Sequence, residues 1–115
     1  LCIQCGTDNG EGANYCVIVT FDADGGALLI AAGEDFAGPA SLANTPLASV
    51  LPALPTGLIN VGAFTPQLSD TGRRHTITES LPDQSWGDWV RYIAADVEAG
   101  DVLMTARNND PLLVV

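Results

Sequence analysis

The apolar residues of this chain come in short runs, and a turn signal closes each one. That punctuation constrains the fold more than any other feature. A run of four to eight residues bounded by Gly, Asn, Asp or Pro suits a strand and is short for a stable helix. Cys16–Phe21 (Cys-Val-Ile-Val-Thr-Phe) is β-branched and reads as a strand. Asp22-Ala23-Asp24-Gly25-Gly26 makes a tight turn, and Ala27–Ala32 returns, completing the clearest hairpin in the chain. Residues 58–64 make a further strand, weakened by Gly62. Residues 74–80 alternate, with Arg74, Thr76, Thr78 and Ser80 opposite His75, Ile77 and Glu79. Residues 88–95 also alternate, with Trp89, Arg91 and Ile93 opposite Val90, Tyr92 and Ala94. Two more runs, 102–106 and 112–115, follow the turns Glu98-Ala99-Gly100-Asp101 and Asn108-Asn109-Asp110-Pro111. About seven short strands predict a mainly-β fold, an antiparallel sandwich or small barrel.

Residues 33–57 break the pattern with repeated Gly and Pro, and they predict a long irregular loop or arm. One short helix is expected inside it, near residues 46–51. Thr45 would be its N-cap, Pro46 its first residue and Pro52 its stop. Leu47, Val50 and Leu51 would face the core at helical spacing. Residues 1–15 form a polar segment containing two cysteines. An apolar end such as Leu112, Leu113, Val114 and Val115 should pair in a sheet, its own or a neighbour's.

Length and composition bound the function. The chain has 115 residues, 47% of them hydrophobic, which is enough for one domain with one core, spanning 1–115. Fourteen acidic residues face four basic ones, all arginine, for a net charge of −10. A basic stripe that would grip nucleic acid is absent, and anionic lipid is disfavoured in the same way. No apolar run approaches the roughly 20 residues that span a bilayer. The chain begins at Leu1 with no basic-then-apolar leader, so upstream residues are expected to have been removed or omitted. Excess Asp without lysine fits a GC-rich genome or a high-salt habitat. Any self-assembly of so acidic a body needs salt, a cation or a specific apolar interface.

Cys2-Ile3-Gln4-Cys5, followed ten residues later by Cys16, is a metal-like spacing. Residues 2–16 resemble one half of a zinc ribbon. The fourth ligand would fall three residues past Cys16, where Val19 stands. Three readings stay open: zinc held by Cys2, Cys5 and Cys16; a disulfide from Cys2 or Cys5 to Cys16; or three reduced cysteines. A redox Cys-x-x-Cys needs a helix start in a βαβ context, and a polar loop follows this one. His75 is the only histidine, and alternation sends Glu79 to its face but Ser80 to the other. No nucleophile elbow or phosphate-binding glycine loop is present. Asp22-x-Asp24-x-Gly26 starts like a calcium loop, but its twelfth position is Gly33. No catalytic residue is assigned, and the chain is expected not to be an enzyme.

From Ala27-Leu28-Leu29-Ile30-Ala31-Ala32 the chain runs into a small-residue loop. It continues with Leu54-Pro55-Thr56-Gly57-Leu58-Ile59-Asn60-Val61-Gly62-Ala63, then Thr76-Ile77-Thr78-Glu79-Ser80, then Ser85-Trp86-Gly87-Asp88. This order over residues 27–90 resembles the tail-tube (major tail) proteins of long-tailed phages and archaeal viruses, with Leu58 where that family often has Trp. The resemblance implies a β-sandwich subunit of a self-assembling particle: a virion tail tube, a capsid decoration or an extracellular filament. Its partners would be copies of itself or other structural proteins of the particle, its location a virion or extracellular, and it would need no cofactor. The expected interface residues are Pro46, Leu47, Leu51, Pro55, Trp86, Leu112, Leu113, Val114 and Val115. Two alternatives remain. One is a secreted or surface domain binding carbohydrate or protein through Trp86, Trp89 and Tyr92. The other is a small zinc-binding interaction domain.

Overall fold

The described residues form seven strands, which divide between a five-stranded sheet and a separate two-stranded ribbon. The structure, a computed structural model, describes residues 16–21, 27–82 and 86–115, with side chains from Leu28 onward. The strands are β1 (Cys16–Phe21), β2 (Ala27–Ala32), β3 (Ala53–Phe64), β4 (Gln67–Leu68), β5 (Trp89–Val97), β6 (Val102–Thr105) and β7 (Pro111–Val114). The large sheet runs β2-β1-β7-β6-β4, and the ribbon pairs β3 with β5. The fold is therefore mainly β, as the spacing of the apolar runs predicts.

The first hairpin has the bounds read from the sequence, in unbroken register from Cys16 opposite Ala32 to Phe21 opposite Ala27. The closing hairpin, β6–β7, is antiparallel as well. The two hairpins meet through β1 and β7, which run parallel, Val17 beside Leu113 and Ile18 beside Val114. That parallel join is the one departure from antiparallel pairing among the described strands. It puts β7 in the middle of the sheet, and Leu112, Leu113 and Val114 are each 3% exposed or less. A mid-sheet strand covered on both faces carries consecutive apolar residues rather than alternating ones.

The ribbon packs over the sheet. Phe36, Ala53, Ile93, Ala95, Leu112 and Val114 converge there and leave a gap of about 10 Å³, at the margin of what one water needs. At one end of the ribbon Phe64 stacks edge-on against Trp89, centroids 6.2 Å apart, and against Tyr92 at 5.0 Å. Edge-to-face geometry suits the ring quadrupoles and adds to the area these rings bury. The radius of gyration, 13.5 Å, is that of a compact chain of this length.

Three sequence expectations need correction. Residues 74–80 are a succession of turns, not a strand. Their alternation is almost wholly polar, and their side chains bond the local backbone instead of pairing across a sheet. The Thr78 hydroxyl donates to the Gly72 carbonyl at 2.5 Å, and the His75 carbonyl accepts from the amides of Thr78 and Glu79. The strand expected at 58–64 begins earlier, at Ala53, because Pro55 and the residues after it are absorbed in a register irregularity between Pro55 and Ile59. The expected short helix is present as a 3-10 helix over Pro46–Val50, capped by the Thr45 hydroxyl. Residues three apart eclipse in that geometry. Leu47 and Val50 therefore share an outward side, 41% and 38% exposed, and only Leu51 enters the core. Further 3-10 turns at Glu34–Ala37 and Leu42–Asn44 punctuate the irregular segment.

Candidate functional site

Charge is distributed very unevenly along this chain. All fourteen acids and all four arginines lie outside residues 36–69, in a chain that is 16% charged overall. The uncharged stretch supplies the 3-10 turns at Leu42–Asn44 and Pro46–Val50 and the whole of β3. It also supplies most of the exposed large apolar side chains among the described residues: Leu42, Leu47, Val50, Leu58, Ile59 and Val61. Val61 at 68% and Leu58 at 65% are the most exposed of all. Single exposed aliphatics are ordinary, but grouping on one uncharged strand marks a surface built for contact.

The main chain of β3 adds to this. Among the described residues β3 pairs only with β5, so its other edge has no strand beside it. Exposed edges are normally blunted by charged side chains, proline or bulges. Pro55 and the irregular register up to Ile59 guard the first part of β3, and a second irregularity between Val61 and Phe64, with Arg107 on the Ala63 carbonyl, guards the last part. Residues 59–61 are in regular register with Ile93, Tyr92 and Arg91, and no charge stands on this strand.

The ribbon is fixed to the body at several points. The Tyr92 hydroxyl donates to the Asp110 carboxylate at 2.6 Å, tying β5 to the turn before β7. Burial and that hydrogen bond push the Tyr92 phenol up to about 12. Arg91 forms an ion pair with Glu34. Arg107 donates to the Ala63 carbonyl at 2.5 Å, at the far end of β3. Gly62, at φ +132°, leaves the space for it, since a Cβ there would sit 2.8 Å from the guanidinium. The Thr65 hydroxyl donates to Asp88 at 2.7 Å, across the end of the ribbon. The strand edge is thus presented by a braced element rather than a loose loop.

The residues expected at an interface divide between surface and interior. Pro46 and Leu47 are exposed, while Pro55 and Val115 are half-buried. Trp86 is half-buried against the core, and Leu51, Leu112, Leu113 and Val114 lie inside it. The last three are used up by β7's central place in the sheet, so the apolar chain end pairs within its own molecule. Trp89 and Tyr92 are 7% and 5% exposed, which removes both from any stacking platform for a sugar. Leu58, Ile59 and Val61 were not among the expected interface residues, and the signal that marks them is the charge-free stretch itself.

Cys2 and Cys5 lie outside the described residues, as does the Asp22–Gly26 turn; Cys16 opens β1. Among the described residues no three His, Cys, Asp or Glu side chains group as a metal site. His75 sits in a turn, where its Nδ1 accepts from the Ile77 amide at 3.3 Å. No helix among the described residues is long and apolar enough to cross a membrane. Comparison with family models, with curated proteins and with solved structures finds no match to this chain.

Proposed function

We propose that this chain is a non-enzymatic structural subunit of a self-assembling particle, built to pack against copies of itself or against other structural proteins of that particle. The observation that carries the reading is the β3–β5 ribbon, which presents Leu58, Ile59 and Val61 on a strand without charge and without a second strand partner among the described residues. A solitary soluble domain gains nothing from such an edge, and leaving it bare invites pairing with another chain. The exposed Leu42, Leu47 and Val50 of the irregular arm offer further apolar contact. The resemblance of residues 27–90 to tail-tube proteins supports the same class: a tail tube, a capsid decoration or an extracellular filament, in a virion or outside the cell. The remaining acidic surface suits a particle that must not adhere to nucleic acid.

The reading is tested by light scattering and negative-stain imaging at 0.1 M and 2 M NaCl. Salt screens the repulsion between bodies of charge −10. Rings, tubes or a defined multimer, favoured by the higher salt, are the expected result. A mass of 11.9 kDa at every concentration and both salts would refute it. Zinc analysis of the same sample addresses Cys2, Cys5 and Cys16 independently: the assembly reading requires no bound metal.

A further inference from the structure

We infer that the edge of β3 that no described strand covers is the docking site for a second copy of this chain, residues 58–61 of the two copies pairing antiparallel about a two-fold axis. This rests on the assembly reading above and names its surface and its occupant.

β4 is two residues long and offers little to pair with. β2, at the other edge of the large sheet, is uncharged over Ala27–Ala32 but is bracketed in sequence by Asp22 and Asp24 before it and Glu34 and Asp35 after it. Two-fold pairing through β2 would bring the acids before one strand towards those after the other, and like charges so placed are repulsive. β5 carries Arg91 and Asp96, begins just after Asp88 and ends just before Glu98. β3 alone is long, 12 residues, and far from charge along the chain on either side. Apart from its ladder with β5, no backbone-to-backbone hydrogen bond involves residues 54–66 among the described residues, and Arg107 takes the Ala63 carbonyl, so the open stretch ends at Val61.

The same comparison selects the occupant. A basic partner would be drawn to the carboxylates elsewhere on the molecule, not to a face that has none. Two molecules of charge −10 repel at long range and can meet closely only where both surfaces are uncharged. An isologous contact meets that condition automatically, because each copy brings the same neutral strand. The main-chain groups then supply directional bonds, and Leu58 and Val61 supply apolar area.

Sedimentation velocity on the full chain tests this with Val61→Asp, Leu58→Asp and Leu47→Asp, at 0.1 M and 2 M NaCl, with a thermal melt of each. Val61 and Leu58 are well exposed, so their substitution leaves the melt of the monomer close to wild type. Wild type is expected to sediment as a multiple of 11.9 kDa. Val61→Asp and Leu58→Asp should associate about 100-fold more weakly, because each sets a carboxylate against the apolar side chain opposite it in the other copy. Leu47→Asp, on the arm and outside the paired strand, should weaken association by less than about tenfold. If both β3 variants keep the wild-type mass while Leu47→Asp dissociates, the β3 edge is overturned and the assembly reading stands. If wild type is a monomer at both salts up to millimolar concentration, both fall.

Discussion

Replacing Tyr92 with Phe tests how the ribbon is held against the sheet. The Tyr92 hydroxyl, buried at the root of β5, donates to Asp110 at 2.6 Å. An ionised phenol there would lose its solvation and face a carboxylate, so its pKa is raised to about 12 from 10.0. In the unfolded chain it titrates near the ordinary value. A raised folded pKa means the contribution is complete below pH 10 and is lost as pH rises towards 12. At pH 11 the unfolded phenol is about nine-tenths ionised and the folded one still about nine-tenths neutral, so about 1 kcal/mol is lost. Over the full window the loss is about 2–3 kcal/mol. Thermal melts of wild type at pH 8 and pH 11 should therefore separate by about 5 °C more than those of Tyr92→Phe. At pH 8 the variant itself should lose about 1–2 kcal/mol, since Asp110 is half-buried and regains some water. Equal alkaline losses in the two proteins would refute the clasp between β5 and the β7 turn.

Other substitutions test the remaining joints of the fold. A methyl group on Gly72 would overlap the main-chain carbonyl of Leu103, so Gly72→Ala should lift the 69–82 turns off β6 and cost about 3 kcal/mol, read by urea denaturation; a neutral result would contradict that packing. Thr45→Ala removes the hydroxyl that accepts from the Leu47 amide and donates to the Leu42 carbonyl, and should cost about 0.5–1 kcal/mol by the same assay. Because the side chain is exposed, that variant should leave the assembly state unchanged.

What was legible in the sequence followed from local chemistry. The β1–β2 hairpin was readable because β-branched and aliphatic runs flank an Asp/Gly turn. The Thr45-Pro46 start was readable because capping is a property of two residues. Features set by tertiary placement were less so. β4 is two residues whose strand character exists only through β6. Leu112, Leu113 and Val114 read as an interface because an apolar chain end has no local reason to be interior; it becomes interior when β7 is laid between β1 and β6. Residues 74–80 imitated a strand because period-two polarity does not reveal whether side chains cross a sheet or fold back on their own backbone, as Thr78 does on Gly72. The candidate surface was visible in principle, since the charge-free stretch 36–69 can be seen by eye. Its meaning required knowing that β3 has no second strand neighbour among the described residues.

The central claim is that β3 presents an edge that another copy of this chain covers. Amide hydrogen exchange, followed at micromolar and at near-millimolar protein in 2 M NaCl, tests it most directly. The account predicts that amides of residues 58–61 gain protection on concentration, while those of Ala27–Ala32, at one edge of the five-stranded sheet, exchange at the same rate in both samples. Association without any change at residues 58–61, or with protection appearing at β2 instead, would contradict it.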